Sequence, residues 1–264
     1  MHYSQTEALE AFHARYAGAS DRVFAPGATP DGRSSYQVLA DCVPPQARRV
    51  LDLACGDGPM LARLAAPGRS VVGLDRSAPE LAAARARLGP DAALHEGLAQ
   101  ALPFEDASFD AATCHMAFMF FEQPEAVVRE LRRVLRPGAT FAAVVGRTLR
   151  RDPFAQDFFA ALRRAEAMDG LTIAWSMRHT AEEPLRALFD GWSPTTTAME
   201  LILPIPRARA AETLKLCYYD AGLLGPAAAA QLDADVAALL DAHQVGDTLR
   251  WAVGMGLLQA IRPG

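Results

Sequence analysis

The twelve residues Arg49-Val50-Leu51-Asp52-Leu53-Ala54-Cys55-Gly56-Asp57-Gly58-Pro59-Met60 constrain this chain more than any other stretch. Val50, Leu51 and Leu53 have the unbroken apolar character of a strand buried on both faces of a parallel sheet. Gly56 and Gly58 let the backbone reverse sharply and approach a ligand where a Cβ would clash. Met60, Leu61, Leu64 and Ala65 then begin a helix whose N-terminus points back at the turn. The dinucleotide fingerprint G-x-G-x-x-G is absent, because counting from Ala54 those positions hold Ala, Gly and Met. Asp52 also puts a carboxylate where a pyrophosphate would be repelled. A zwitterionic or cationic ligand suits this acidic turn better.

Composition narrows the class. At 264 residues and 51% hydrophobic, the chain can form one large domain or a core with a cap. Its net charge of -5, with no basic run, argues against a nucleic-acid partner. Cys42, Cys55, Cys114 and Cys217 are scattered without a C-x-x-C pair, as expected in a reducing cytoplasm, and Cys55 and Cys114 are expected in buried strand ends. The opening Met-His-Tyr-Ser-Gln-Thr-Glu does not read as a signal peptide, and no apolar run reaches the ~18 residues of a membrane span. No His/Cys/Asp set has metal-ligand spacing, so no metal is expected.

Strand and helix signals alternate along the first half. Ser70–Asp75 reads as a second strand ending in an acid, followed by Ser77 and Glu80 as a capping box for a helix carrying Leu81, Ala84 and Leu88. Residues 92–95, 110–116 and 140–145 read as three more strands, with a helix opened by Pro124 between the last two. Beyond them, 157–168 is helical, Thr180 to Glu183 forms a capping box, 195–206 and 248–261 are strands, and 207–244 is largely helical. The expected fold is α/β: a doubly wound, Rossmann-like, seven-stranded and mostly parallel sheet whose last strand is antiparallel. A single domain is expected, divided into an N-terminal helical arm (1–45), a core (46–146) and a second half (147–264); the family resemblance carried by the motifs below implies that the core binds the cofactor and that the second half is the substrate side, with a helical lid.

The turn Asp52-Leu53-Ala54-Cys55-Gly56-Asp57-Gly58 resembles motif I of the class I S-adenosylmethionine-dependent methyltransferases, with Ala54 in place of a glycine. Residues Gly97-Leu98-Ala99-Gln100-Ala101-Leu102-Pro103-Phe104-Glu105-Asp106-Ala107-Ser108-Phe109-Asp110 are similar to the family's G-D-A-x-x-L-P-F-x-D-x-S-F-D signature. The departure is Leu98, where an acid often holds the adenine amino group. The likeness continues through Pro124–Leu131 and Arg133-Val134-Leu135-Arg136-Pro137-Gly138, and spans about Arg49 to Val145.

The resemblance implies S-adenosylmethionine as cofactor, S-adenosylhomocysteine as its product, and a small-molecule methyl acceptor. Asp52, Ala54, Gly56 and Gly58 would face the methionine part, Asp75 and Arg76 the ribose, and Leu98 and Ala99 the adenine. His115 and Met116 at the end of the fourth strand would lie near the transferring methyl. Tyr16 and Arg33 (or Arg22) in the arm would close on the cofactor. Met119, Phe120, Trp175, Met177 and Tyr219 would line an apolar acceptor pocket. His115, His179 and Tyr218 are the candidate catalytic groups, and transfer needs at most one general base. The base-methylating Asn/Asp-Pro-Pro-aromatic motif is missing after the fourth strand, which again speaks against nucleic acid. A monomer or homodimer in the cytoplasm, without membrane or nucleic-acid partners, is the expectation. A repurposed, non-catalytic methyltransferase fold and a nicotinamide-dependent oxidoreductase stand as alternatives, and the acceptor atom is open among carbon, nitrogen and oxygen.

Overall fold

A computed structural model describes residues 1–147, 152–176 and 181–264. The chain begins with a short strand β1 (His2–Ser4), then α1 (Gln5–Arg15), α2 (Ala19–Phe24) and α3 (Ser35–Ala40). The alternating core follows: β2 (Arg49–Leu53), α4 (Pro59–Leu64), β3 (Ser70–Asp75), α5 (Ala78–Leu88), β4 (Ala93–Glu96), β5 (Phe109–His115), α6 (Pro124–Val134) and β6 (Leu135–Gly146). After it come α7 (Pro153–Asp169), β7 (Thr172–Ala174), α8 (Glu182–Ala187), β8 (Thr195–Pro206), α9 (Ala210–Cys217), α10 (Tyr219–Leu223), α11 (Pro226–Ala242) and β9 (Thr248–Ile261).

Seven strands form one sheet in the order β4-β3-β2-β5-β6-β9-β8. Neighbours from β4 to β6 are parallel, and β9, the last strand, runs antiparallel to both β6 and β8. From β2 the chain winds outward through β3 to β4, then returns to the other side of β2 with β5. The winding direction therefore reverses between β2 and β5. In an open α/β sheet a ligand crevice forms at such a reversal, beyond the carboxyl ends of the strands. Asp52 lies opposite Thr113 across that seam.

Alternate residues of the central strands feed opposite cores. Val50, Ala111, Ala142 and Val144 pack on the face covered by the N-terminal arm and the later helices. Leu51, Leu53, Ala112, Cys114, Phe141 and Ala143 pack on the other face, against α6 and Phe189. On α6, Val127, Leu131 and Val134 are completely buried at helical spacing, each burial worth about 1.5–3 kcal/mol. Cys55 and Cys114 are both buried, and all four cysteines are free thiols.

Several local expectations shift. The helix expected from 157 starts at Pro153, because Asp152 accepts a hydrogen bond from the Ala155 amide and proline fits the first helical position. Ser77 does cap α5, accepting from the Glu80 amide, but the Glu80 carboxylate turns away to the arm instead of closing a capping box. α8 begins after Ala181 without a side-chain cap, and Thr180 lies outside the described residues. A second, two-stranded sheet pairs β1 with β7 in parallel, tying the start of the chain to the segment after α7. Among the described residues, no helix is long and apolar enough to cross a membrane.

Candidate active site

Three of five consecutive residues after β2 have left-handed backbone: Ala54 (φ 55°), Gly56 (φ 52°) and Gly58 (φ 82°). Gly58 has a second reason to lack a side chain, since a Cβ there would meet Leu88 Cδ1 at 2.8 Å. The turn is pinned from β3. The Gly56 amide donates to one carboxylate oxygen of Asp75 at 2.8 Å, and the Ser77 amide donates to the other, also at 2.8 Å. Burial raises the Asp75 carboxyl, and those two amide bonds work against the rise. Asp52 is 1% exposed and accepts a 2.8 Å bond from the Thr113 hydroxyl. Burial pushes its carboxyl up to about 7, against the lowering effect of that bond and with help from the Asp75 charge.

Above this floor lies a cleft of about 330 Å³, at the lower end of the ~300–1,000 Å³ typical of small-molecule sites. The loop after β4 forms one wall with Gly97, Leu98, Ala99 and Gln100, and the end of β5 forms another with His115, Met116 and Ala117. α1 is the roof, contributing Thr6, Leu9, Glu10 and His13. Polar contacts fasten it on two sides. Gln5 donates to the Phe120 carbonyl and accepts from the Ser176 amide, both at 2.9 Å, and Thr6 donates to Glu122 at 2.8 Å. Across the cleft, His13 Nδ1 meets Glu80 at 2.7 Å, the Gly18 amide donates to the other Glu80 oxygen at 3.0 Å, and Arg76 pairs with Glu10. Tyr219 of α10 seals the end, its ring 4.5 Å from Phe12, 5.2 Å from Phe120 and 5.7 Å from Trp175 between centroids.

Asp52, Ala54, Gly56, Asp75, Arg76, Leu98, Ala99, His115, Met116, Phe120 and Tyr219 all line this cleft. Others expected beside it do not. Gly58 sits beneath the turn as the residue before α4. Tyr16 packs its ring on Phe12. Arg33 is held on the surface by Asp31 at 2.7 Å and Asp41 at 2.9 Å, and Arg22 bonds the carbonyls of Ala17 and Gly18. Met119 is buried against Gly146, and Trp175 stands behind Tyr219 with its indole N–H on Asp220 at 2.9 Å. Tyr218 packs with Phe158 and Phe159, its hydroxyl accepting from the Trp251 indole at 3.2 Å. Met177 and His179 lie outside the described residues.

His115 does reach the cleft, but its chemistry is restricted. Its Nε2 is 2.9 Å from the Ser35 hydroxyl, and its ring stacks on Tyr36 at 3.9 Å. Loss of solvation, with a small contribution from Arg63, pushes it down to about 3, so the ring is neutral near pH 7. Tyr36 itself is 1% exposed, and its hydroxyl has no hydrogen-bond partner among the described residues. Burial and the nearby Asp21 charge keep it a protonated phenol, and the residue lines the cleft.

His13, Glu80, Tyr36, Ser35, Thr113 and Gln100 are site residues that sequence reasoning did not single out. One signal was available: Ser34 and Gln37 form a reciprocal capping box that starts α3 and so places Ser35 and Tyr36. Ser4 and Glu7 do the same for α1, the carrier of His13.

Residues 51–143 match the family described as methyltransferase domain. That region, about a third of the chain, is similar to methyltransferase domains. The match runs from β2 into β6 and so includes the turn, Asp75, the loop after β4 and His115. The chain is 44% identical over 96 residues to demethylmenaquinone methyltransferase of Thermus thermophilus, covering 34% of this chain and 44% of that protein. It is 40% identical over 102 residues to malonyl-[acyl-carrier protein] O-methyltransferase of Erwinia pyrifoliae, covering 39% and 38%. The chain spans less than half the length of the curated relatives it matches. The fold extends further. The YcgJ protein of Bacillus subtilis superposes with a TM-score of 0.57 at 22% identity over 87% of this chain and 98% of that one. The [4+2]-cyclase SpnF superposes with a TM-score of 0.58 at 20% identity over 98% and 97%.

The cleft offers groups that fit S-adenosylmethionine. Asp75 and Asp52 bring carboxylates to it, and Tyr36 a buried phenol without a described partner. Leu98 and Ala99 supply apolar surface for a flat base.

Proposed function

We propose that this protein binds S-adenosylmethionine in the cleft and transfers its methyl group to a small apolar or aromatic acceptor. One observation carries the reading: Asp52, Asp75, the left-handed turn and the orphaned Tyr36 hydroxyl converge on a single cleft roofed by α1. When bound, the sulfonium supplies a methyl group already activated for in-line displacement. The chain's own contribution is therefore positioning and exclusion of water. Asp75, held rigid by the Gly56 and Ser77 amides, accepts from the ribose. Tyr36 donates to the amino-acid end. Leu9, Phe120, Phe121 and Tyr219 present the acceptor with an apolar face, and the fastened α1 keeps the interior dry.

His115 serves as an uncharged wall in this reading, since its ring does not hold a proton at neutral pH. Residues 46–146 act as the donor half, and both residues 1–45 and α10 supply the cover. A free metabolite in the cytoplasm is the proposed partner.

Calorimetry and thermal unfolding with S-adenosylhomocysteine test the donor half of this proposal. At a hundredfold excess over Kd, a ligand specific for the native state stabilises it by about 2.7 kcal/mol. A rise in Tm with NAD and none with S-adenosylhomocysteine overturns the reading. Transfer of labelled methyl only to protein or nucleic acid overturns the small-molecule acceptor.

A further inference from the structure

We propose that Glu80 is a positioning residue whose buried carboxylate latches the α1 roof to α5, and so sets how fast the methyl donor enters the cleft and its product leaves. This rests on the reading of the cleft as a donor site. Glu80 stands in the first turn of α5, where the helix N-terminus favours a negative charge. It lies against the strained turn, since a Cβ on Gly56 would come 3.8 Å from Glu80 Oε2. A carboxylate only accepts hydrogen bonds. Both donors come from the arm, His13 Nδ1 to one oxygen at 2.7 Å and the Gly18 amide to the other at 3.0 Å. Among the described residues, no Arg or Lys pairs with it. With both oxygens taken by the arm, this carboxylate is committed to the roof.

The roof is held differently at its two ends. The N-terminal end of α1 is tied by the pairing of β1 with β7 and by the two bonds of Gln5. Towards the other end Phe12 packs on Tyr219, so that α1 and α10 form one cover. On the α5 side, among the described residues, two polar joints fasten this cover. One is Arg76 with Glu10, whose side chains are 40% and 59% exposed, and such a pair holds weakly. The other is Glu80, whose side chain is 3% exposed. Bonds to a charged group away from water are the strong ones. Leu9, Glu10, His13 and Ala14 line the cleft from above, and a site of this size covers most of its ligand, so passage requires the roof to lift. The latch is made by the chain's own atoms and opposes entry and exit alike. Weakening it raises the open fraction of the free and the loaded protein by the same factor. Both rates then rise, and the effect cancels in Kd.

Surface plasmon resonance with S-adenosylhomocysteine on the immobilised whole chain tests this, using the wild type, Glu80→Ala, Glu80→Gln, His13→Ala and the variant carrying both alanines. In Glu80→Ala, association and dissociation should each quicken by at least about tenfold, the scale of one charge-assisted bond, with Kd held within about threefold. Glu80→Gln keeps an acceptor oxygen for one of the two donors, and its rates should fall between the wild type and Glu80→Ala. His13→Ala breaks the same joint from the partly exposed arm side, and carries the test if Glu80→Ala does not fold. The double variant should match Glu80→Ala within about twofold, because both changes remove one shared bond. A rise in dissociation alone, with Kd weakened by the same factor, would show that Glu80 merely supports the site. Unchanged rates in both alanine variants, or a double variant that multiplies their effects, overturn the latch and leave the donor site standing. If the wild type does not bind S-adenosylhomocysteine, the donor reading falls and the latch with it.

Discussion

Replacing Asp52 by Asn should stabilise the ligand-free protein, and by an amount that grows with pH. Asp52 is 1% exposed and its one described partner is the neutral Thr113 hydroxyl, so its charge has no cation beside it. Burial accordingly raises its carboxyl from 3.8 to about 7. Below pH 4 the group is protonated whether the chain is folded or not. Between 4 and 7 the folded protein keeps a proton that the unfolded chain has released, so this group's stabilising contribution declines as pH rises. Above about 7 it is gone, a loss on the order of 4 kcal/mol at about 1.4 kcal/mol per pH unit. Asn keeps an oxygen for Thr113 and has no charge to desolvate. Urea unfolding without ligand should show Asp52→Asn ahead of the wild type by roughly 2–3 kcal/mol more at pH 8 than at pH 5. A difference of equal size at both pH values would refute the burial argument. Donor binding reports on the same carboxyl. A cationic ligand favours the ionised form, so binding at pH 6 should release a proton from the wild type and none from Asp52→Asn, read as a buffer-dependent binding enthalpy.

Two further predictions follow from the turn and the orphaned phenol. Ala54→Gly relieves a left-handed alanine, worth about 1–2 kcal/mol, against a glycine entropy cost of roughly 0.5–1 kcal/mol, so the net gain is expected below about 1 kcal/mol and a fall in Tm would contradict it. Tyr36→Phe deletes a buried hydroxyl without a described partner, so the ligand-free protein should gain about 1 kcal/mol while S-adenosylhomocysteine binds more weakly; weaker binding without the gain in stability would show that the hydroxyl has a partner in the free protein.

The parts of the site that were legible in the sequence are those where function and local backbone make the same demand. β2, the glycine turn and α4 are contiguous, and the turn needs left-handed residues whatever it binds. Asp75 ends a strand that its own apolar pattern marks out. The parallel, doubly wound core of the sheet follows from alternation of strands and helices. The roof carries no such mark, because its contacts join residues far apart in the chain: His13 to Glu80 across 67 residues, Gln5 to Phe120 across 115 and to Ser176 across 171. Glu80 shows the difficulty in one residue. Its spacing from Ser77 fits a capping box, and nothing local reveals that His13 and the Gly18 amide take its carboxylate instead. Tyr16 and Arg33 had chemistry suited to a cofactor, but Phe12 and two surface aspartates claim them.

Three unfavourable features meet at the cleft: a non-glycine residue at positive φ in Ala54, a buried carboxyl without a described counter-ion in Asp52, and a buried phenol without a described partner in Tyr36. Each is costly to the fold alone, on the order of 1–4 kcal/mol. None is a packing necessity, because glycine, asparagine and phenylalanine would occupy the same places with the same neighbours. A cationic, hydrogen-bonding ligand offsets two of them directly, by ionising Asp52 against a positive charge and by accepting from Tyr36. Costs of this kind collected in one cleft are expected where a site is arranged for a ligand in advance of its arrival. The strained turn that most constrains the fold is thus also the part that asks most clearly for a bound donor.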